Sequence, residues 1–214
     1  MNAPGAISQG SNRFGEAAEK HFGLYPGVVE DNVDPDEKGR VTVKLKWIDP
    51  DYVTRWAPVA QIYAGPGYGG YWVPEIGDQV IIAFLRGELR KPIIVGSIYS
   101  EGHKPPHKRT KTQDPKVLRT KAGHMLLMED KDQPKIKLID KTGNNEVEIN
   151  SEENIVTVRA ADHVVVEAGG NVQVDAGGSA SINAGQDILL SAGGSITIEA
   201  TANVTITGAA VAIN

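Results

Sequence analysis

Residues 151–214 read SEENIVTV RAADHVVV EAGGNVQV DAGGSASI NAGQDILL SAGGSITI EATANVTI TGAAVAIN, which are eight consecutive octads without an insertion. A short fixed period is typical of stacked repeat architectures. Octad positions 6 and 8 are apolar, position 2 of the next unit is almost always alanine, and a glycine pair often follows. Residues spaced by two share one face of a strand, and glycine tolerates a tight bend. Each octad therefore predicts a short β-strand followed by a sharp bend.

The number of octads favours an assembly of several chains. A triangular coil uses roughly three octads per turn, so one chain would form fewer than about three turns with two open ends. Three chains would supply about 24 strands around one axis, and a spacing of about 4.8 Å between strands gives a shaft of roughly 40 Å. We therefore predict a triple-stranded intertwined β-helix formed by a homotrimer. Its predicted core consists of Val164, Val166, Val172, Val174, Ile188, Leu190, Ile196, Ile198, Val204 and Ile206.

The composition of the octads suits a narrow, acidic shaft. All twelve aromatic residues of the chain lie at or before Tyr99, so the shaft core can only be aliphatic. No Lys or Arg follows Arg159, whereas acids continue to Glu199. We expect these acids to face solvent and to oppose lateral aggregation, with a specific cationic partner as the alternative.

Residues 21–100 predict a second all-β domain. Short apolar runs alternate with turn signals, and about five strands in about 80 residues without a helical period predict a small closed or nearly closed β-barrel. The clearest run is GRVTVKLKWI. By alternation, one face of this strand carries Val41, Val43, Leu45 and Trp47.

The remaining segments complete the predicted domain order. Residues 1–20 are polar and glycine-rich, which predicts a flexible arm, and they lack the apolar core of a signal peptide. Residues 101–119 are rich in Pro and Lys, which predicts an extended linker. The predicted β-helix shaft then spans residues 120–214, with the octads at 151–214.

The barrel and shaft segments resemble a known family. The stretches GRVTVKLKW, RWAPVAQIYAG and GYGGYWVPEIGDQVIIAFLRGELRKPIIVGSIYS are similar to the oligosaccharide/oligonucleotide-binding (OB) barrel of contractile-tail spike proteins, with PEIGDQV and KPIIVGSIY the most specific. That family includes phage baseplate assembly protein V, the T4-type cell-puncturing protein and the valine-glycine repeat proteins of type VI secretion. TKAGHMLLMEDKDQPKIKLIDKTGN resembles the first strands of its β-helix, and the octads resemble its shaft. The resemblance covers roughly residues 20–214 and implies an N-terminal OB-fold barrel followed by a homotrimeric β-helix.

Two departures from the family bear on the particle to which the chain belongs. The T4-type protein carries a lysozyme domain between barrel and shaft, whereas residues 101–120 are too few for an enzyme domain. Type VI spikes add a large hub before the barrel, and this sequence has about 20 residues there. These departures favour a stand-alone spike of a phage tail, a tailocin or an extracellular contractile injection system. We expect synthesis in the cytoplasm without a signal peptide, and assembly into a virion or phage-tail-like particle.

The sequence offers few candidates for chemistry, and we predict no catalytic, cofactor-binding or metal-binding residues and no cofactor. His103 and His107 lie four apart in a KPPH context that is not helical, which disfavours a two-histidine metal site. GPGYGGY lacks the Lys-Ser/Thr of a phosphate-binding loop. The net charge of −5 and the lack of a basic groove beside the aromatic residues argue against nucleic acid.

Two hypotheses for function follow. The first is a non-enzymatic central spike that links the baseplate hub and inner tube to a tip protein and punctures the target membrane mechanically. The alternative is a carbohydrate-binding or carbohydrate-degrading tail spike, a class that usually needs a groove lined with aromatic residues and carboxylates. A persistent monomer near 22.9 kDa would contradict the first hypothesis, and hydrolysis of a glycan would favour the second.

Two sets of residues are candidates for partner binding. The glycine-rich loop offers Tyr68, Tyr71 and Trp72 as possible contacts with the hub. In the last octad the apolar alternation slips by one residue, which predicts a blunt trimeric end with open strand edges unless the terminus merely frays. The resemblance implies that a PAAR-repeat-like tip protein caps this end. The predicted contacts are Ala209, Val211, Ile213 and Asn214.

Overall fold

Short strands dominate the computed structural model, which describes residues 20–212. The predicted arm of residues 1–20 therefore lies outside the described residues except for Lys20. The chain divides into two units, one ending at Val164 and the other beginning at Val165. Six strands of the first unit lie within the predicted barrel: β1 (Tyr25–Asp31), β2 (Thr42–Lys44), β3 (Ala64–Gly65), β4 (Tyr68–Gly69), β5 (Gln79–Phe84) and β6 (Pro92–Ser97).

Four of these strands form an antiparallel sheet that an irregular fifth segment closes. The strand order is β2-β1-β5-β6. Residues 53–60 form isolated bridges to both edges of this sheet, antiparallel from Ala57 to Val41 and parallel from Val59 to Ile94. The amide of Ile94 donates to the carbonyl of Pro58 at 2.9 Å. The five segments thus surround one interior, as the predicted closed barrel requires.

Alternating side chains fill this interior. Strand β5 alternates half-buried and buried residues along its six positions, as a strand with one face on a core does. The buried core residues are at most 6% exposed and are Val29, Val41, Val43, Leu45, Ala57, Val80, Ile82, Phe84 and Ile94. Residues 41, 43 and 45, which alternation placed on one face, are all buried in this interior.

Trp47 departs from this pattern because the strand ends before it. The amides of Ile48 and Asp49 both donate to the carbonyl of Leu45, which turns the chain out of the sheet. Trp47 is consequently 40% exposed and stacks on Tyr25 with ring centroids 4.5 Å apart. Alternation placed Trp47 on one face with Val41, Val43 and Leu45, and this expectation fails because alternation holds only while the strand continues.

Five further strands form an antiparallel meander in the same unit: β7 (Pro115–Arg119), β8 (Met125–Glu129), β9 (Lys135–Ile139), β10 (Glu146–Asn150) and β11 (Ile155–Arg159). Strand β7 occupies the last five residues of the segment that we predicted as a linker, because Val117 and Leu118 pair with Leu127 and Leu126. Strand β11 is the second half of the first octad, so that octad closes this sheet rather than opening the repeat.

The second unit forms no strand among its described residues, 165–212. Bends recur every eight residues, for example at Gly169–Gly170, Gly177–Gly178 and Gly193–Gly194, as the octad pattern predicted. The apolar segments between the bends have no backbone hydrogen-bond partner among residues 20–212. Every residue from 165 to 212 is exposed to solvent in the single chain. The one helical element in residues 20–212 is a 3-10 turn at Leu85–Gly87. No helix in these residues is long and apolar enough to cross a bilayer.

Candidate assembly surfaces

The predicted shaft residues lie on the surface of the single chain. Valine, leucine and isoleucine at octad positions 6 and 8 are 52–79% exposed, and this holds for all ten predicted core residues. A stripe of this extent is unfavourable in water and in soluble proteins usually marks a contact surface. The octads therefore leave their apolar positions available to something outside the chain.

A second apolar surface, which sequence reasoning missed, covers one face of the β7–β11 sheet. The strand register aligns Leu118, Leu126, Leu138, Val147 and Val158 in one row. The neighbouring row on the same face contains Lys116, Met128, Ile136, Ile149 and Val156. We call these two rows the apolar sheet face. Alternation in KIKLI, EVEIN and IVTVR was the signal that could have revealed it, since residues at i and i+2 share a face.

Burial on this face is incomplete. Leu138 is 55% exposed, Val158 60% and Val156 66%. The row that begins at Leu118 borders a groove of about 650 Å³, and Trp72 of the barrel segment also lines this groove. Nine of the ten residues on the face are apolar, so the sheet presents a continuous hydrophobic surface that the described part of the chain leaves largely uncovered.

The opposite face of the sheet is mixed: Val117 and Leu127 lie on it at the β7–β8 side, while the β9–β11 side carries an ion-pair network. Lys137 contacts Glu146 at 3.2 Å and also contacts Glu148, while Arg159 contacts Glu146 from the neighbouring strand. The hydrogen bond to Glu148 raises the pKa of Lys137, and the same bond lowers the pKa of Glu148. Cross-strand pairs of opposite charge stabilise a sheet. The two faces of the sheet are thus chemically distinct, since this network lies on one of them only.

The glycine-rich loop holds its aromatic side chains at fixed places on the barrel. Gln61 binds the backbone of Trp72 twice, donating to its carbonyl at 3.1 Å and accepting its amide at 3.3 Å. The Tyr63 and Tyr68 rings lie 5.4 Å apart. The Tyr71 ring covers Gly39, where an added Cβ would lie 2.9 Å from the ring, so glycine is required for this close approach.

These aromatic residues are exposed despite their ordered backbone. Tyr68 is 57% exposed, Tyr71 77% and Trp72 55%. Exposed aromatic side chains on a fixed loop suit a protein contact, because little side-chain entropy is lost when they are covered. Tyr68 and Tyr71 line one groove on and beside the β3–β4 hairpin, whereas Trp72 lines the groove along the apolar sheet face, so the hub contact remains a prediction.

The predicted tip-binding residues are only partly described. Ala209 and Val211 are exposed, Val211 by 52%. Ile213 and Asn214 lie outside the described residues. Within residues 20–212 no three His, Cys, Asp or Glu side chains converge on a possible metal position, which leaves assembly surfaces as the candidate sites.

Comparison with known proteins identifies the barrel. The family described as the type VI secretion system/phage-baseplate injector OB domain matches residues 25–99. The type VI secretion system spike protein VgrG1c of Pseudomonas aeruginosa is 30% identical over 131 residues, which are 56% of this chain and 18% of that protein. VgrG2a of the same organism is 34% identical over 85 residues, covering 38% of this chain and 10% of the relative.

One relative is named as a toxin. The actin cross-linking toxin VgrG1 of Vibrio cholerae is 36% identical over 89 residues, which are 40% of this chain and 8% of the toxin. The chain thus matches less than a fifth of the length of each of these relatives. Residues 25–99 thus match the injector OB domain of type VI secretion systems and phage baseplates, and the chain is similar over part of its length to spike proteins of type VI secretion.

Proposed function

We propose that the chain is a structural, membrane-puncturing central spike of a contractile injection machine and that it works as a homotrimer. The observation that carries the proposal is the coexistence of an injector OB domain with a long octad repeat whose apolar residues have no partner in one chain. Hydrogen-bonding groups and apolar side chains that stay unsatisfied in one chain favour completion by identical chains.

In the proposed trimer, each octad segment pairs with segments of the other two chains, and positions 6 and 8 turn inward to form the shaft core. The apolar sheet face would be covered by the same face of the other two chains, while the Lys137–Glu146–Glu148 network would remain exposed. A closed prism has no free strand edge along its length, which gives it rigidity and resistance to lateral aggregation. Rigidity is what a puncturing device needs, and no catalytic step is required.

The partners follow from the two ends of the proposed spike. The aromatic loop with Tyr68, Tyr71 and Trp72 would contact the baseplate hub and inner tube, since it is exposed and well ordered. Residues 207–214 would bind a small PAAR-like tip protein. Removal of residues 207–214 should abolish recruitment of the tip protein while leaving the mass of the spike trimer unchanged, and recruitment by the shortened chain would contradict this assignment.

The decisive experiment is mass in solution combined with imaging. Light scattering during gel filtration should give three times 22.9 kDa, and labelled protein should lie at the end of a contractile tube. A monomer at all concentrations would refute the trimer. Release of sugars from purified peptidoglycan or surface glycan would instead support the carbohydrate-degrading alternative, for which the aliphatic octads offer no aromatic stacking surface.

A further inference from the structure

Positive charge is concentrated between the barrel and the β7–β11 sheet. Residues 101–121, EGHKPPHKRTKTQDPKVLRTK, contain seven Lys and Arg against two acids, a net charge of +5 in a chain whose net charge is −5. We call this segment the basic strap. The basic strap and the acidic octads thus separate opposite charges along the sequence.

Much of this charge is free of acidic neighbours. Residues 101–113 are exposed throughout. Arg109, Lys116 and Lys121 form ion pairs with acids. The other four cations of the strap have no ion pair with any residue that the structure describes, and they are Lys104, Lys108, Lys111 and Arg119.

The strap also borders a groove that adds apolar and aromatic surface to its charge. Tyr99, Lys104 and Arg119 line this groove of about 460 Å³. Ile76 lines it as well and is 56% exposed, while Tyr99 is 66% exposed. Two acids lie in the same groove, but Glu75 is paired with Lys121 at 3.3 Å and Asp78 accepts the Glu75 amide at 2.9 Å.

We propose that the basic strap and this groove bind the surface of an anionic phospholipid bilayer. Flexible lysines beside a surface of lipid phosphates gain attraction without fixed geometry. A tyrosine and an aliphatic side chain next to them suit the boundary between head groups and acyl chains. The aliphatic Ile76 favours a lipid surface over single-stranded nucleic acid, since it cannot stack on a base. All residues that line the groove belong to one chain, including Trp72 and Leu118 of the two assembly surfaces, so binding to vesicles can be measured whether or not the chain forms a trimer.

The test is co-sedimentation of the full chain with phosphatidylcholine vesicles that contain or lack about one third phosphatidylglycerol. Binding should occur only with the anionic vesicles and should weaken as salt rises, because screening shortens the reach of surface charge. Equal binding to both vesicle types, or binding indifferent to salt, would overturn the proposal.

Matched variants locate the surface. The triple change Lys104→Gln, Lys108→Gln and Lys111→Gln should weaken binding about a hundredfold, given the usual contribution of each surface cation. The control, Lys46→Gln, Arg55→Gln and Arg90→Gln, removes the same charge from exposed barrel positions and should bind as the parent does. Equal losses in both triples would show a mere net-charge effect and reject the assignment, with thermal melting used to verify folding.

Two competitors separate the alternatives. Inorganic phosphate at millimolar concentration should not displace the protein from vesicles, whereas displacement would indicate a single-phosphate site and refute a membrane surface. Duplex or single-stranded DNA that binds as tightly as the anionic vesicles would also refute it. A monomeric mass would overturn the proposed spike but not this lipid-binding surface, so the two failures are distinguishable.

Discussion

The double substitution Ile196→Ser and Ile198→Ser tests whether the octads assemble through their apolar positions. The two side chains are 52% and 64% exposed in the single chain, so a trimer would remove more than half of their surface from water. Burial of a fully exposed isoleucine contributes about 1.5–3 kcal/mol, which scales here to about 1–2 kcal/mol for each side chain. With six such side chains in the trimer, the loss is about 6–12 kcal/mol per assembly.

A loss at the lower end of that range raises the trimer dissociation constant by about four orders of magnitude. Sedimentation equilibrium over a dilution series should therefore show the variant as single chains at concentrations where the parent is trimeric. The control is Thr197→Ser, which lies between the two isoleucines and, by alternation, faces the opposite side. An unchanged mass for the double variant at every dilution would refute assembly through positions 6 and 8, and a parent that remains at 22.9 kDa would refute the trimer itself.

Three further predictions concern the barrel and the sheet. Gly27→Val should lower the melting temperature strongly, because even a Cβ there would lie 2.3 Å from the Val43 side chain. The control Gly96→Ala has open space around its Cβ and should have little effect. Equal melting temperatures of the two variants would contradict the close packing of Gly27 on Val43. Arg40→Lys should lower the melting temperature by a few degrees, because lysine lacks the guanidinium that donates two hydrogen bonds to the Asp34 carboxylate at 2.8 and 2.7 Å. The matched change Arg86→Lys should leave the melting temperature unchanged. Partial burial raises the pKa of Asp140, but hydrogen bonds from Thr142 and Asn145 outweigh it and lower that pKa to about 2 from 3.8. The stabilisation from this carboxylate is thus complete above pH 4 and is lost as the pH falls towards 2. Asp140→Asn should therefore flatten the acid unfolding curve, and identical curves for this variant and the parent would refute the role of these bonds.

Local periodicity predicted those parts of the fold in which neighbours in sequence determine the structure. Alternation in residues 41–45 identified the barrel interior, and the glycine pairs identified the bends of the octads, because both follow from backbone geometry. It misplaced Trp47, whose position depends on where the strand stops. The hydrogen bonds that end this strand are made at Leu45 by residues beyond it, which no alternation pattern contains.

Surfaces formed by several strands were harder to predict. The apolar sheet face depends on the register of five strands, and a shift of one residue in any of them would move its side chains to the opposite face. The aromatic residues of the hub-contact candidate were visible in sequence, but the Gln61 bonds that fix Trp72 join residues eleven apart and required the structure. Pairing of the octads between chains, as proposed, would leave no mark inside one chain except exposed apolar residues.

The division of hydrogen bonds within the chain has a consequence for the order of assembly. The barrel and the β7–β11 sheet complete their own ladders, so they can fold while the chain is alone. Residues 165–212 form no backbone hydrogen bond with any residue that the structure describes, and in the proposed trimer they would pair with other chains. If barrel and sheet associate first, they raise the effective concentration of the three attached tails and convert a three-body encounter into an intramolecular zipping reaction. Shaft formation would then begin next to the sheet and proceed towards the C-terminus, with only the association step sensitive to dilution.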